Sequence, residues 1–274
     1  MFITIPRRRA DKFRAVDMDD YESFKKEIFI LTQIDLNAYK EKQMRRRIDS
    51  LIMKNGITTY KDYVAAIKKD RNLFEEFVNY LTINVSEFFR NPEQWDILEH
   101  ELLPEILAKT KSPKIWSAAC STGDEPYTIV MMLSKYLPLS QIKVLATDID
   151  KQVIEKAKAG LYIDKSLRCV PPEFFKKYFT QVNEYTYKIS DEIKRCVEFK
   201  NANLLQDPYP KDCDLIVCRN VLIYFTEEAK IDIYKKFNEA LKKDGLLFVG
   251  STEQIIQSYT LNYSTAKSFF YRKK

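Results

Sequence analysis

The segment IWSAACSTGDEPYT at residues 115–128 decides the fold of this 274-residue chain. An apolar run passes through a polar turn into an amphipathic segment, EPYTIVMMLSKYL. The next two segments, KVLATDID (143–150) and KQVIEKAKAG (151–160), repeat this alternation of strand and helix. Such an order is typical of a doubly wound, mostly parallel sheet. The sequence therefore predicts an α/β fold of the Rossmann-like type.

The remaining strands of this sheet lie nearer the C-terminus. CDLIVCRN (213–220) and GLLFVGS (245–251) are apolar strands. Between them, residues 226–243 predict a helix that Thr226 caps and that Asp244 and Gly245 close. Residues 178–199 fit the alternation poorly, and YTYKIS (185–190) and CVEFKN (196–201) resemble short strands. We therefore expect a small antiparallel β insert at about 178–199.

Residues 17–83 show helical spacing of apolar side chains and predict an all-helical N-terminal domain. Within it, residues 36–54 predict a single helix that ends at Asn55 and Gly56. The apolar side of this helix consists of Met44, Ile48, Leu51 and Ile52. A basic extension over 1–16 precedes the domain. A linker with a connecting helix over 84–113 leads to the second domain at 114–274.

Composition places the chain among globular proteins, with 45% hydrophobic and 31% charged residues. The absence of a long apolar run and of a signal peptide predicts a cytoplasmic protein without membrane insertion. Five cysteines without a CxxC pair favour reduced thiols over disulfides or a metal site. The net charge is +6, and arginine clusters at 7–9 and 45–47 indicate that an acidic partner meets the N-terminal part.

In doubly wound sheets the ligand lies at the carboxyl ends of the strands, so the turns after the strands indicate its chemistry. The first turn has neither a dinucleotide-binding glycine pattern nor a phosphate-binding loop. It carries two acids instead, Asp124 and Glu125. Paired carboxylates repel pyrophosphate and attract a cation. S-adenosylmethionine, which has an ammonium and a sulfonium group, fits this turn.

Polar residues after the other strands complete the predicted pocket. Asp148 lies 23 residues beyond Glu125, close to the separation at which an acid binds ribose hydroxyls in related folds. We assign Asp148 to the ribose and Asp150 to the cap of the next helix. Asn203 with Leu204 is expected at the adenine rim, and Asn220 beside the cofactor or the substrate. The alternatives are a loop-forming role for Asn203 and a capping role for Asn220.

Six segments together resemble the chemotaxis receptor methyltransferase (CheR) family, in the family's order. They are NVSEFFRN (84–91), IWSAACSTGDEPYT (115–128), ATDID (146–150), NANLLQ (201–206), CRNVLIYF (218–225) and LFVGSTEQI (247–255). The helical N-terminal unit also looks like that of the family. Ser86 and Asp124 are mild departures, since many members have threonine and glutamate there.

The resemblance implies methyl transfer from S-adenosylmethionine to the γ-carboxylates of receptor glutamates, with S-adenosylhomocysteine as the second product and no metal. It also places Arg90 and Tyr224 beside the transfer site. Whether Arg90 holds the cofactor's or the substrate's carboxylate stays open. The implied cofactor contacts are Asn84, Ser86, Arg90, Glu125, Asp148, Asn203, Leu204, Asn220 and Val221.

The implied partner is the helical cytoplasmic domain of methyl-accepting chemotaxis receptors, bound by a monomer. One or two of Arg45, Arg46 and Arg47 are expected to dock on it, because three consecutive helical residues cannot face one partner. The β insert resembles a subdomain that grips a receptor's C-terminal pentapeptide in some members. Its hairpin TQVNEYTYKIS contains no glycine. We therefore expect receptor binding without that tether.

Chemistry at a carboxylate needs no general base, since a glutamate is already ionised at neutral pH. This agrees with the single histidine, His100, which is expected at the surface. Phe88 and Phe89 are expected in the core. Two alternatives remain: a methyltransferase acting on nucleic acid or a small molecule, and a noncatalytic adaptor that binds S-adenosylmethionine. The RNVLIY segment after the strand differs from the turn of nucleic-acid amino methylases, and we expect no nucleic-acid partner.

Overall fold

A computed structural model describes residues 18–274 of the chain. These residues form two compact units, one within Met1–Leu81 and one over Thr82–Lys274. The predicted basic extension at 1–16, with its arginine cluster, lies outside the described residues. Over residues 18–274, no helix is both long enough and apolar enough to span a bilayer.

The first unit is all-helical, as predicted. It contains α1 (Met18–Thr32), α2 (Glu41–Lys54), α3 (Tyr60–Lys69) and the start of α4 (Arg71–Thr82). Phe77 lies at the centre of its core with no exposed surface. The Phe77 ring makes edge contacts with Phe24 at 6.2 Å and with Tyr63 at 5.7 Å between ring centroids. Aromatic packing of this kind holds the helices together.

The predicted single helix over 36–54 is wrong at its start. A 3-10 turn at Leu36–Ala38 comes first, and α2 begins only at Glu41. The break arises because the Asp35 side chain accepts a hydrogen bond from the Asn37 amide, and Tyr39 is extended with φ −100 and ψ 154. The predicted end at Lys54 is confirmed. The predicted apolar residues Met44, Ile48, Leu51 and Ile52 are all buried.

The second unit is built on a seven-stranded sheet that confirms the predicted doubly wound fold. Its strands are β1 (Ile115–Ala118), β2 (Val144–Asp148), β6 (Val197–Asn201), β7 (Cys213–Cys218), β8 (Leu241–Val249), β9 (Tyr263–Lys267) and β10 (Phe270–Lys273). Their order in the sheet is β6-β2-β1-β7-β8-β10-β9. The first five strands in this order are parallel, and β10 pairs antiparallel with both β8 and β9.

Helices connect these strands and precede them. A helical stretch before β1 comprises α5 (Pro92–Ile97), a π turn at Leu98–Leu102 and α6 (Leu103–Lys109), and it belongs to the second unit. The strands β1 and β2 are followed by α7 (Asp124–Leu133) and α8 (Lys151–Ala159). The remaining helices are α9 (Asp164–Leu167), α10 (Pro172–Tyr178), α11 (Asp191–Lys194) and α12 (Glu227–Ala240).

The predicted antiparallel insert exists as a separate three-stranded sheet in the order β3-β5-β4. Its strands are β3 (Leu161–Ile163), β4 (Phe179–Asn183) and β5 (Thr186–Ile189). The predicted range of 178–199 is wrong at both ends. Leu161–Ile163 joins the insert, whereas Val197–Asn201 pairs in parallel with β2 as an edge of the main sheet. A short apolar run does not reveal which strand it pairs with.

The helix predicted over 226–243 begins as expected and ends early. The Thr226 hydroxyl accepts a hydrogen bond from the Ala229 amide at 3.3 Å, so Thr226 is the cap. Leu241 is already extended, with φ −78 and ψ 145, and begins β8. Gly245 lies within this strand and does not end the helix. A β carbon there would be 2.8 Å from the Cys213 carbonyl oxygen of β7, so only glycine fits this position.

Replacing the central aromatic ring tests the core of the helical unit. We expect Phe77→Ala to lower the free energy of unfolding by about 3 to 5 kcal/mol, because it leaves a cavity in a packed core. Phe29→Ala is the matched control, since Phe29 is 38% exposed. Urea denaturation of both variants measures the difference. Equal losses of stability would contradict this packing.

Candidate active site

The turn after β1 brings backbone amides and acids together at the carboxyl edge of the sheet. Ala119 and Ser121 both have positive φ, at 61 and 48. Gly123 has φ 89, and a β carbon there would lie 2.8 Å from the Ala157 β carbon. Only glycine fits this close approach. The turn therefore packs tightly against α8 and begins α7 with Asp124.

Asp124 is completely buried. Its Oδ2 accepts a hydrogen bond from the Thr122 hydroxyl at 2.5 Å. Burial raises the pKa of its carboxyl to about 6, and the nearby hydroxyls of Thr122 and Ser86 oppose that rise. Among the described residues, Asp124 Oδ1 and the buried Ser121 hydroxyl have no hydrogen-bond partner. Such orphaned atoms indicate a place for a polar ligand.

Glu125 is the second acid of the turn, with its side chain 13% exposed. Its Oε1 accepts a hydrogen bond from the Ser117 hydroxyl at 2.8 Å, and its Oε2 lies 3.9 Å from Arg219 Nη1. Burial raises the pKa of Glu125 to about 7, although Arg219 acts in the opposite direction. A cationic ligand group beside Glu125 would lower this pKa again and favour the ionised carboxylate.

Asp148 ends β2 beside the same turn. Its Oδ2 accepts a hydrogen bond from the Ser121 amide at 2.8 Å, and its Oδ1 accepts one from the Asp150 amide at 2.9 Å. Burial is the largest influence on this carboxyl and raises its pKa to about 6. Each oxygen keeps a further lone pair for a ligand hydroxyl. The predicted capping role of Asp150 is confirmed, since its Oδ1 accepts from the Gln152 and Val153 amides.

The segment before α5 contributes two predicted residues to this acidic group. Asn84 Nδ2 donates to Asp150 Oδ2 at 2.9 Å and to the Thr82 hydroxyl at 2.8 Å. Ser86 lies beside Asp124, close enough to lower the pKa of that carboxyl. The structure thus brings Asn84 and Ser86 to the turn. Their contact with a cofactor stays a prediction.

Asn203 and Leu204 follow β6 and line a cavity of about 480 Å³ together with Thr147 of β2. The Asn203 Oδ1 accepts a hydrogen bond from the Leu205 amide at 2.9 Å, which is the loop-forming role considered as an alternative. The Leu204 carbonyl accepts from the Tyr209 hydroxyl at 2.7 Å. The cavity leaves room for a ligand at this edge. The contact of Asn203 and Leu204 with adenine stays a prediction.

Asn220 follows β7 with a φ of 60, and a buried acid holds its loop. Glu253 Oε2 accepts from the Asn220 amide at 2.6 Å and from the Gly250 amide at 2.8 Å. Glu253 Oε1 accepts from the Leu222 amide at 2.6 Å and from the Ile223 amide at 3.3 Å. Glu253 was missed at the sequence level. Its only signal was an acid just after an apolar strand.

The predicted transfer residue Tyr224 closes the 3-10 turn Leu222–Tyr224 in this loop and is half-buried. Val221 directly precedes the turn and is also half-buried. The loop therefore carries Asn220, Val221 and Tyr224 from one buried anchor, Glu253. Their contacts with substrate or cofactor stay predictions.

Arg219 is the second functional residue that sequence reasoning missed. Arg219 is 7% exposed. Its guanidinium lies over the rings of Trp95 and Phe248, at 5.0 Å and 4.6 Å from the ring centres. Its Nη2 donates to the Arg90 carbonyl at 2.7 Å. The half-exposed Arg90 guanidinium donates to the Val85 carbonyl at 3.3 Å. Arg219 thus joins the Arg90 segment to Glu125.

The three arginines of α2 have different surroundings. Arg45 lies 4.9 Å from the centre of the Tyr21 ring, and Arg47 donates to the Tyr80 carbonyl at 2.6 Å. Of these three arginines, only Arg46 is exposed, whereas Arg45 and Arg47 are half-buried.

Other predictions about individual side chains are confirmed. Phe88 and Phe89 are buried in the core, with 0% and 4% exposure. The side chain of His100 is 65% exposed and lies at the surface.

Comparison with known proteins identifies the family. The SAM binding domain of CheR methyltransferases matches residues 84–269, and the all-alpha domain of CheR methyltransferases matches residues 19–82. This chain belongs to the CheR methyltransferase family. It is 40% identical to a chemotaxis protein methyltransferase of Listeria monocytogenes over 241 residues, which is 88% of this chain and 92% of that protein.

Two further relatives carry the same description. The chemotaxis protein methyltransferase of Listeria innocua is 39% identical, over 88% of this chain and 92% of that protein. That of Borreliella burgdorferi is 33% identical, over 84% of this chain and 86% of that protein. The CheR chain described here is therefore an S-adenosylmethionine-dependent methyltransferase of the chemotaxis type.

The residues at the sheet edge fit this cofactor. Three carboxyls with raised pKa values favour a ligand that carries positive charge, and the orphaned Ser121 and Asp124 oxygens can accept or donate further hydrogen bonds. Glu125 would face an ammonium group and Asp148 a pair of hydroxyls. The fit rests on charge and on free polar atoms in this part of the chain.

The raised pKa of Glu125 predicts that cofactor affinity depends on pH. Only the ionised carboxylate attracts an ammonium group, so the dissociation constant of S-adenosylhomocysteine should rise about 20-fold from about pH 7.5 to about pH 5.5. Asp124 and Asp148 add a smaller rise near the lower end, because their pKa values are about 6. Calorimetric titration across this range measures the effect.

Glu125→Gln separates this carboxylate from the other acids. The variant should bind about 10- to 100-fold more weakly at about pH 7.5, since it loses a charged hydrogen bond. It should also have a shallower pH dependence. Glu239→Gln is the control, because Glu239 is exposed on α12. Wild-type pH dependence in Glu125→Gln would remove Glu125 from the cofactor site.

Proposed function

We propose that this enzyme transfers the methyl group of S-adenosylmethionine to glutamate side-chain carboxylates of chemotaxis receptors, for sensory adaptation. The products are glutamate methyl esters and S-adenosylhomocysteine. The relatives' description as chemotaxis protein methyltransferases supports a protein acceptor in chemotaxis. The chemistry of the site supports a carboxylate as the accepting group.

The observation that carries this proposal is the separation of charge across Arg219. On one side Glu125 lies 3.9 Å from Arg219 Nη1, in an acidic turn suited to a cationic donor. On the other side Arg219 holds the carbonyl of Arg90, whose own guanidinium is half-exposed. A half-exposed guanidinium suits a carboxylate acceptor, which it can bind with two parallel hydrogen bonds.

Arg90 makes few bonds to the protein, which leaves it available to the acceptor. Among the described residues its guanidinium makes a single direct hydrogen bond, to the Val85 carbonyl at 3.3 Å. The Arg90 carbonyl, in contrast, is held by Arg219 at 2.7 Å and by Trp95 Nε1 at 3.0 Å. The backbone is therefore fixed while the charged end remains free. We assign it to the receptor glutamate.

Catalysis then consists mainly of positioning. The bound cofactor supplies an electrophilic methyl group. Arg90 holds the ionised acceptor carboxylate in line with that group, and Tyr224 orients the second carboxylate oxygen through its hydroxyl. No base is needed, because the acceptor has no proton to lose. Orientation of this kind lowers a barrier by about 7 to 11 kcal/mol when the geometry is good.

The remaining predicted residues form the cofactor pocket in this proposal. Asp148 binds the ribose hydroxyls, and Glu125 pairs with the ammonium group. The 480 Å³ cavity after β6 supports an adenine position beside Asn203 and Leu204. Asn84 and Ser86 act from the segment before α5, and Asn220 with Val221 acts from the loop after β7.

The proposed partner is the helical cytoplasmic part of a chemotaxis receptor, met by a cytoplasmic monomer. Arg46 is the exposed arginine of α2 and is assigned to an acidic receptor face. The hairpin between β4 and β5 is closed by Asn183, whose Oδ1 accepts from the Tyr185 amide at 3.1 Å, without a glycine. We retain the proposal that a C-terminal pentapeptide tether is not required.

A methylation assay tests the proposal. The protein is incubated with methyl-labelled S-adenosylmethionine and receptor cytoplasmic fragments, with and without a C-terminal pentapeptide. We expect the label to appear on receptor glutamates. Mild base should release this label as methanol, because methyl esters hydrolyse and N-methyl groups do not. Label on lysine or on nucleic acid, or cofactor binding without transfer, would contradict it.

Arg90→Ala should reduce turnover on receptor fragments by about 100-fold or more, because the acceptor loses its orienting group. Arg195→Ala is the matched control, since Arg195 is exposed after α11. Steady-state rates with saturating cofactor measure the change. Full activity of Arg90→Ala would remove this residue from the transfer site.

A further inference from the structure

Arg219 is a buried cation that the cofactor and substrate assignments do not use. It follows β7 and lies between two aromatic rings, those of Trp95 and Phe248. A buried guanidinium is costly unless its donors are satisfied, so each partner indicates what the residue is built to hold. Its partners come from two separate parts of the site.

The first group of partners belongs to the Arg90 segment. Nη2 donates to the Arg90 carbonyl at 2.7 Å, to Asn91 Oδ1 at 3.2 Å and to Gln94 Oε1 at 2.9 Å. Phe89 and Asn91 have φ of 51 and 61. Non-glycine residues in this region are strained, and surrounding contacts must hold them there. Arg219 supplies three of those contacts from a single nitrogen.

The second partner is Glu125, whose Oε2 lies 3.9 Å from Nη1. The charged groups that face Glu125 are Arg219, Glu253 and Asp124, and only the arginine favours its ionised form. The Ser117 hydroxyl also favours that form through a hydrogen bond. Loss of Arg219 would therefore raise the pKa of Glu125 further.

The geometry points to Arg219 as a positioning residue that sets the donor and acceptor halves of the pocket through one guanidinium. Its Nη2 fixes the backbone from which Arg90 reaches the acceptor, and its Nη1 lies beside Glu125 and favours the carboxylate that faces the donor. This role rests on the proposed function of Arg90. It does not rest on contact between Arg219 and either substrate.

Arg219→Lys tests the acceptor half. Lysine keeps the charge but is shorter and has a single nitrogen, so it cannot hold the Arg90 segment as Nη2 does and also face Glu125 as Nη1 does. With saturating cofactor, turnover on receptor fragments should fall about 100-fold, as expected for a misplacement near 1 Å. The dissociation constant of S-adenosylhomocysteine should stay within about 3-fold of wild type, because the charge near Glu125 remains.

Arg219→Gln tests the donor half. Removal of the cation should move the midpoint of the pH dependence of S-adenosylhomocysteine binding upward by about one pH unit. A residue that only filled space would not shift this midpoint. Arg195→Lys and Arg195→Gln are the matched controls and should behave as wild type in both assays.

Gln94→Met tests the acceptor role independently, in case the variants at position 219 do not fold. It removes one acceptor of Nη2 at a residue that is 6% exposed and leaves the net charge unchanged. Turnover should fall about 10-fold with unchanged cofactor binding, a smaller loss because two acceptors remain. Thermal unfolding of each variant shows whether the fold is retained.

Wild-type turnover in folded Arg219→Lys or in Gln94→Met would overturn the acceptor role. An unshifted binding midpoint in folded Arg219→Gln would overturn the donor role. Failure of the proposed function is distinguishable, because the wild-type enzyme would then leave the receptor fragments unmethylated. Cofactor binding is measured without a receptor and does not depend on that outcome.

Discussion

The loss of water around three carboxylates at one edge of the sheet is the constraint on which this structure depends. Asp124 and Asp148 are 0% and 7% exposed, and Glu125 is nearly as enclosed. Burial of like charges is unfavourable, and it raises the pKa of all three groups. Backbone amides and hydroxyls offset part of that penalty. We expect a cationic ligand to offset the remainder, because it favours the ionised form of these carboxyls.

Two buried side chains outside this group hold the acceptor side in place. Glu253 gathers four backbone amides around its carboxylate and so fixes the loop after β7. Arg219 binds the Arg90 segment and faces Glu125. The Glu253 carboxylate is satisfied by these amides, whereas Arg219 is satisfied mainly at Nη2, and its buried Nε has no hydrogen-bond partner among the described residues. The proposed transfer residues Arg90 and Tyr224 can therefore keep their polar ends available.

The sequence predicted the parts of this structure that depend on local pattern. Alternating apolar runs predicted the doubly wound sheet. The polar residues after β1 predicted the acidic turn, and those at the end of β2 predicted the acid beside it. The missed features depend on long-range contacts. The edge strand Val197–Asn201 was assigned to the wrong sheet because its partner lies about fifty residues earlier, in β2. The sequence did not indicate Arg219 and Glu253, because their roles depend on buried contacts with residues elsewhere in the chain and not on their residue type. The break before α2 came from one side chain, Asp35, competing with the helix for a backbone amide.

A crystal structure with S-adenosylhomocysteine would show whether the acidic turn binds the cofactor. We expect both ribose hydroxyls within about 3 Å of the Asp148 carboxylate and the amino group beside Glu125. We also expect the Arg90 guanidinium to face the open side of the sulfur atom, where the acceptor must enter. A ribose bound away from Asp148, or an acidic turn that faces no positive group of the ligand, would contradict this cofactor assignment.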